Sequence, residues 1–255
     1  MTALITATKR VVRILTAPLP ATTKRGLLAA ERSRGRADVE VPIGALAAHV
    51  PAASHRVDYF TLYGAIVDRH FACDVRGAAV LDIGAHKGYF ALRAFADGAE
   101  RVDSYEPASQ NFESLSRSAD GVGTWAVHRA AVGAEPGSIE LHLAPGSWGH
   151  SVHVPVGGES VGTETVDMVS LSSALAAVST SGAPVVVKIN VEGAAGEMVL
   201  GTEPADWAGV RLLWTDVEPN DPVGVARLAQ HLADCGLRHE RTEGHRNLFV
   251  RPGVS

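Results

Sequence analysis

The stretch VLDIGAHKGYF, residues 80–90, decides the fold. Its apolar start, Val80–Ile83, is typical of a buried strand, and Tyr89–Ala96 has the spacing of a helix. Gly84 and Gly88 lie in the turn between them, where glycine permits a tight backbone path. The stretch therefore predicts a strand, a glycine turn and a helix, which is the first unit of many ligand-binding α/β sheets.

Strand and helix patterns then alternate along the chain. Further strands are predicted at Arg101–Glu106, Thr124–Val132, Val185–Val191 and 210–219. Helices are predicted at 55–72, at Ser109–Ser118, after the strand that ends at Val191 and up to about Leu200, and at Pro222–Cys235. Residues 237–252 are predicted to form two strands joined by a turn near Gly244. Alternating strands and helices predict a doubly wound, mostly parallel sheet, to which the terminal strand pair adds an antiparallel edge.

Two segments depart from this rhythm. Residues 133–170 are rich in glycine, serine and β-forming residues, so we expect a β-hairpin insertion or a flap. Residues 1–54 form a basic leader and an N-terminal helical segment, with helix breaks at Pro18 and Pro20. The sequence thus predicts a principal domain over residues 55–255.

Composition and charge restrict the class of protein. The chain has 255 residues, of which 46% are hydrophobic and 20% charged, as in soluble globular proteins. Residues 1–36 carry eight basic side chains and one acidic one, a net charge of +7, which leaves −12 for the rest of a chain whose total is −5. The basic segment could contact nucleic acid, acidic lipid or an anionic substrate. We expect instead an amphipathic helix that docks on the acidic body.

The localisation expected from the sequence is cytoplasmic. Cys73 and Cys235 show no metal-binding or redox spacing, so we expect two reduced thiols. An apolar run of about 20 residues, the length of a membrane span, does not occur.

The turn after the first strand restricts the ligand. Gly84 and Gly88 give G-x-x-x-G, which fits neither the dinucleotide fingerprint nor the phosphate-binding P-loop. Asp82 would repel a pyrophosphate but suits the cationic amino-acid end of S-adenosylmethionine. Glu106, which ends the second strand, is placed to accept both hydroxyls of a ribose. Taken alone, Glu106 could equally be an ordinary acid at a helix start.

Three motifs together resemble the FkbM family of S-adenosylmethionine-dependent methyltransferases. They are VLDIGAHKGYF with the later YEP, VKINVEGAAGEMVLG and LLWTDVEP, and the resemblance covers roughly residues 55–250. It implies a Rossmann-like class I methyltransferase fold, with a doubly wound, mostly parallel seven-stranded sheet, an antiparallel edge and here a β-rich insertion. It also implies methyl transfer to hydroxyl groups of sugars, polyketides and similar small molecules.

The sequence departs from the family pattern at several positions. Asn190 stands where the family has Asp, Ala195 stands where it has a second acid, and Asp216 and Glu218 replace its Glu and His. These changes leave open a non-catalytic or regulatory module of the same fold. The basic leader leaves open a nucleic-acid methyltransferase. The leading interpretation is an O-methyltransferase for a saccharide or a secondary metabolite.

The candidate site residues follow from the motifs and from strand ends. The predicted cofactor-binding residues are Asp82, Gly84, His86, Gly88, Glu106 and Asn190. The candidate catalytic bases are His150 and His153 in the insertion, and Asp216. Glu192, Asp216 and Glu218 lie at two strand ends and suit an oxygen-rich Mg²⁺ site, although they equally suit metal-free substrate binding.

Lys188 is expected to pair with a nearby carboxylate rather than to take part in the chemistry. Trp148 and Trp214 could stack on a sugar face, and Trp214 could equally fill the core. For partners, the sequence predicts a small hydroxylated substrate and a homodimer, with neither nucleic acid nor a membrane span.

Overall fold

The computed structural model describes residues 2–144, 146–147, 149–150, 160–191, 193–218 and 221–253, with side chains from residue 7 onward. The helices are α1 (Thr2–Thr16), α2 (Ala21–Ser33), α3 (His55–Ile66), α4 (Tyr89–Ala96), α5 (Ser109–Ala119), α6 (Leu171–Ser179), α7 (Ala195–Leu200) and α8 (Gly224–Asp234). The strands are β1 (Val39–Ile43), β2 (Leu46–Val50), β3 (Ala79–Ile83), β4 (Arg101–Tyr105), β5 (Trp125–His128), β6 (Ala131–Gly133), β7 (Gly137–Leu143), β8 (Gly162–Ser170), β9 (Val185–Ile189), β10 (Val210–Asp216), β11 (Arg238–Glu243) and β12 (Arg246–Val250).

The central sheet has seven strands in the order β11-β12-β10-β9-β3-β4-β5. Every residue of β3 and β9 is buried, because helices cover both faces of the sheet. β10, β9, β3, β4 and β5 are parallel, whereas β12 pairs antiparallel with β10 and β11. The predicted doubly wound sheet with an antiparallel edge is confirmed.

The sequence predicts a single third strand at Thr124–Val132, but the structure has two strands there, β5 and β6. The chain leaves the central sheet after His128 and enters a separate three-stranded sheet as β6, in the order β6-β8-β7. Arg129, between the two strands, forms an ion pair of 3.1 Å with Glu164 of β8, which holds the chain at this crossing. The β-hairpin expected within residues 133–170 is confirmed as the antiparallel pair β7 and β8.

The N-terminal segment packs on the body. Its apolar side chains Ile14, Leu27 and Val41 belong to the same buried cluster as Val80 of the central sheet. Residues 39–50 form a β-hairpin, which the sequence reading missed, as it missed α6. The predicted docking of this basic segment is therefore confirmed. No helix among the described residues is long and apolar enough to cross a membrane.

Candidate functional site

A cleft lies where the strand order reverses, at the carboxyl ends of β3, β4 and β9. Chain connections diverge to either side at such a point, which leaves room for a ligand. The strand ends contribute Ile83, Gly84, Tyr105, Glu106, Asn190 and Val191 to its wall, and the insertion contributes Leu141, Ser147, Gly149 and His150. The cleft therefore has one wall made by the sheet and another made by the β6–β8 sheet and its loop.

Gly84 is required by the close approach of two strand ends. Its φ angle is +70°, and a Cβ atom there would lie 2.0 Å from the carbonyl oxygen of Asn190. The amides of Gly84 and Ala85 both donate to the carbonyl of Tyr105 at 3.0 Å. The turn is thus tied to the ends of both neighbouring strands and brings Asn190 into the cleft wall.

Glycine is required at position 88 by helix packing, whereas the sequence predicts that Gly88 contacts the cofactor. Its φ angle is +83°, but a Cβ atom would meet Leu115 and the Trp125 ring at 2.8 Å rather than a ligand. Gly88 does not line the cleft. It permits α4 to begin against α5 and β5, so its contribution to the site is indirect.

Glu106 places a buried carboxylate in the cleft wall. Glu106 is 6% exposed, and its two carboxylate oxygens accept hydrogen bonds from the backbone amides of His86 at 2.8 Å and Ala108 at 3.1 Å. Burial raises the pKa of Glu106 to about 7, although these hydrogen bonds act in the opposite direction. A carboxylate has about four lone-pair sites, so Glu106 retains the capacity to accept hydrogen bonds from a ligand.

A polar chain joins the insertion to the turn after β3. The Ser147 hydroxyl donates to Asp58 Oδ1 at 3.0 Å and lies 3.1 Å from His86 Nε2. Asp58 is fully buried in α3, and its Oδ2 also accepts a hydrogen bond from Lys87 Nζ at 2.6 Å. The Ser147 carbonyl accepts Asn111 Nδ2 at 2.8 Å. We call Asp58, Ser147 and His86 the polar latch, because they hold the insertion over the cleft.

The latch fixes which nitrogen of His86 carries a proton. Ser147 has one hydroxyl proton, and donating it to Asp58 leaves its oxygen to accept Nε2–H from His86. Nδ1 is then an acceptor, and it is buried without a partner among the described residues. Burial lowers the pKa of His86 to about 4, so the ring is neutral at pH 7. His86 therefore presents an unsatisfied acceptor at the cleft.

Asp82 is not among the residues that line the cleft, and its contact with the cofactor stays a prediction. It is fully buried within β3, where its Oδ1 accepts Lys188 Nζ at 2.9 Å. The same ammonium donates to the carbonyl of Gly84 at 2.7 Å. Asp82 thus acts on the turn through Lys188, and the predicted pairing of Lys188 with a carboxylate is confirmed.

The predicted bases and metal ligands are only partly brought together. His150 lines the cleft, whereas Asp216 does not, and His153 and Glu192 lie outside the described residues. Burial, followed by the charge of Glu218, raises the pKa of Asp216.

A Mg²⁺ site stays a prediction. Within the described ranges no group of three or more His, Cys, Asp or Glu side chains is arranged to hold a metal ion. Of the two tryptophans proposed to stack on a sugar, Trp214 is core, fully buried, and Trp148 lies outside the described residues.

His150 has one nitrogen engaged by the backbone. The Ala144 amide donates to His150 Nδ1 at 3.0 Å, so the neutral ring carries its proton on Nε2. Burial lowers the pKa of His150, which keeps the ring neutral near pH 7. To take a proton, the ring must first release the Ala144 amide.

The family model for the methyltransferase FkbM domain matches residues 82–236, more than half of the chain. The chain belongs to the FkbM methyltransferase family. The match begins at Asp82, in the strand that precedes the turn at the cleft, and ends after α8. No curated protein matches the sequence of this FkbM methyltransferase.

Two solved structures of methyltransferases are similar to this FkbM methyltransferase in fold. A candidate tRNA (m1A22) methyltransferase from Streptococcus pneumoniae, in complex with S-adenosyl-L-methionine, has 13% identity and a TM-score of 0.41, covering 71% of this chain and 69% of that one. The ribosomal protein L11 methylase from Lactobacillus delbrueckii subsp. bulgaricus has 12% identity and a TM-score of 0.37, covering 78% and 79%. The chain has the Rossmann-like methyltransferase architecture, which its own strand order displays.

Sequence reasoning missed three side chains of the site. Asp58, Asn111 and Ser147 come from α3, α5 and the insertion, and none belongs to a motif at a strand end. Asp58 offered one signal, since it is an acid within an otherwise apolar helical pattern. Ser147 and Asn111 offered none, because their roles depend on contacts between residues 36 and 89 positions apart.

Proposed function

We propose that the protein transfers a methyl group from S-adenosylmethionine to a hydroxyl of a small hydroxylated acceptor, a saccharide or a secondary metabolite. The observation that carries this proposal is the buried Glu106 carboxylate in the cleft wall at the end of β4. A carboxylate at that place suits the two hydroxyls of a ribose. Family membership and the strand-end cleft support methyl transfer as the reaction.

The cleft residues fit the cofactor chemically. Glu106 and His86 both line the cleft and carry buried acceptors, the carboxylate and the unpartnered Nδ1, and a ribose offers two adjacent donors. Asn111 Oδ1 is a further buried acceptor without a partner among the described residues. Apolar side chains of Ile83, Val132, Leu141 and Val191 line the remaining wall, as an adenine ring requires.

A small acceptor fits better than a nucleic acid. The chain beyond residue 36 has a net charge of −12, which opposes a polyanion at this cleft. The polar latch places Ser147, 3% exposed, across the cleft, which favours a ligand that can be enclosed. The cofactor supplies a methyl group on a positively charged sulfur. The protein's task is to align an acceptor oxygen and to accept its proton.

His150 is our candidate for accepting that proton, because it is the sequence-predicted base that lines the cleft. Its neutral ring can exchange the Ala144 amide for an acceptor hydroxyl at Nδ1. Asp216 lies away from the cleft lining and would need a relay.

The test is formation of S-adenosylhomocysteine by the purified protein with panels of sugars and hydroxylated metabolites, and with tRNA. We expect at least one hydroxylated small molecule to stimulate turnover, and tRNA not to do so. His150→Ala should lower turnover while S-adenosylhomocysteine still binds. Stimulation by tRNA alone would contradict the proposal, and binding of S-adenosylhomocysteine without any turnover would favour the non-catalytic module.

Ser147→Ala is expected to accelerate cofactor release. The substitution removes the hydroxyl that joins Asp58 to His86, so the insertion loses its hold on the turn. A hydrogen bond to a charged group contributes about 1.5–3 kcal/mol, which predicts roughly tenfold faster dissociation of S-adenosylhomocysteine in a stopped-flow experiment. Ser160→Ala is the matched control, because that exposed hydroxyl of the insertion donates only to the nearby Gly162 carbonyl. Equal acceleration in both variants would contradict a latch.

A further inference from the structure

The outer surface of the N-terminal helices exposes apolar side chains. The large hydrophobic side chains exposed among the described residues are Val12, Leu15, Phe60 and Val161. Val12 and Leu15 lie on α1 with 52% and 53% exposure, and Phe60 of α3 lies under the guanidinium of Arg10 in α1, 5.0 Å from its ring centroid. Val12 and Leu15 share the outer side of α1, whereas Ile14 on the opposite side of the same helix is buried in the core.

Cations flank this apolar surface. A groove between α1 and α2 is lined by Val11 and Val12 on one side and by Arg32 and Arg36 on the other. Lys9 is exposed on α1 itself. Within the described parts of the chain, no ion pair or side-chain hydrogen bond involves Lys9, Arg32 or Arg36, whereas Arg10 and Arg13 are paired with Glu31 and Asp68. We call Val12, Leu15, Lys9, Arg32 and Arg36 the basic ridge.

We infer that the basic ridge binds the surface of an anionic lipid membrane. An apolar stripe between lysine and arginine side chains is the pattern of a helix that lies in the interface, with its apolar side in the acyl boundary and its cations at the headgroups. The segment that carries the ridge has a charge of +7, against −12 for the remainder, so an anionic surface attracts this side and repels the rest.

Nucleic acid is the competing partner for such a surface, and the apolar residues decide against it. Val12 and Leu15 gain nothing from a phosphate backbone, whereas transfer to an acyl region removes their exposed area from water.

The test is co-sedimentation of the full chain with phosphatidylcholine vesicles prepared with and without phosphatidylglycerol, at low and high salt. We expect binding to the anionic vesicles only, weakened by salt because exposed charges are screened. Arg32→Gln with Arg36→Gln removes two cations and should lower the partition coefficient about tenfold or more. Val12→Gln with Leu15→Gln should lower it by a similar factor, about tenfold, through loss of apolar burial.

The control exchanges two exposed arginines elsewhere, Arg227→Gln with Arg238→Gln on α8 and β11, which should leave binding unchanged. All these positions are exposed, so thermal melts should match the wild type. Absence of binding to anionic vesicles at low salt, equal loss in the control, or binding of tRNA without binding of vesicles would overturn the inference. Membrane binding needs neither cofactor nor acceptor, so this outcome is independent of the methyl-transfer assay.

Discussion

Glu106→Gln is expected to weaken the binding of S-adenosylhomocysteine by about tenfold to a hundredfold, since a hydrogen bond to a charged group contributes about 1.5–3 kcal/mol and the ribose would lose a charged acceptor. The wild-type carboxylate is positioned by the amides of His86 and Ala108, so it meets the ligand already oriented. Glutamine keeps the length of the side chain and removes the charge. Isothermal titration calorimetry measures the change directly.

The pH dependence gives the same prediction a second measurement. The pKa of Glu106 is raised to about 7, so the carboxylate that binds the ribose is lost as the pH falls through 7. Wild-type affinity should therefore be constant above about pH 8 and fall by up to tenfold per pH unit below 7. Binding at pH 7 should also release protons, which calorimetry in buffers of different ionisation enthalpy detects. Glu106→Gln should abolish both effects, and their persistence would place the ribose elsewhere.

Glu106 makes the stability of the folded protein and its affinity for the cofactor depend on pH in opposite directions. The folded-state pKa of Glu106 lies above the ordinary value of 4.5, so the folded protein binds the extra proton between about pH 4.5 and 7. The contribution of this group to stability is therefore present at low pH and lost as the pH rises through 7. A carboxylate that is costly to bury ionised and yet lies in a cleft wall is expected at a ligand site rather than in a structural role.

Local sequence pattern was sufficient to predict the elements that position the cleft. The helix Tyr89–Ala96 has the predicted bounds, and the strands ending at Ile83 and Tyr105 are within a residue of theirs. Their positions follow from continuous apolar runs ended by glycine or by an acid, which are signals contained in a few neighbouring residues. Because parallel strands end at the same edge of a sheet, the sequence pattern alone assigns Gly84, Glu106 and Asn190 to one cleft, and all three line it.

The functions of individual side chains depended on contacts that local pattern does not contain. Asp82 lies near a strand end as a cofactor-binding acid would, and the sequence pattern does not show that its Oδ1 accepts a hydrogen bond from Lys188, 106 residues away. The end of β5 at His128 was missed because neither glycine nor proline lies between β5 and β6. Only the pairing of β6 with β8 shows that the two strands belong to different sheets. Long-range partners thus decided what each strand-end residue does.

The ion pair of Asp82 and Lys188 is expected to carry the largest effect on stability. Both side chains are buried, and the ammonium also donates to the carbonyls of Gly84 at 2.7 Å and Ile83 at 3.3 Å. Removing one partner leaves a buried charge without its counterion, which costs about 3–5 kcal/mol. Asp82→Asn and Lys188→Met should each lower the free energy of unfolding by about that amount in urea denaturation.

The double variant, Asp82→Asn with Lys188→Met, tests the ion pair, and the two single variants separate its positioning role from direct contact with the cofactor. It buries no unpaired charge, so it should be destabilised by much less than the sum of the two single variants. If Asp82 acts through Lys188 on the Gly84 turn, both single variants should weaken S-adenosylhomocysteine binding to a similar extent. If Asp82 instead contacted the cofactor, Asp82→Asn would lose binding with little change in stability, and Lys188→Met would bind normally. Because the ammonium bridges a carboxylate and two backbone carbonyls at the end of β3, we expect the first pattern.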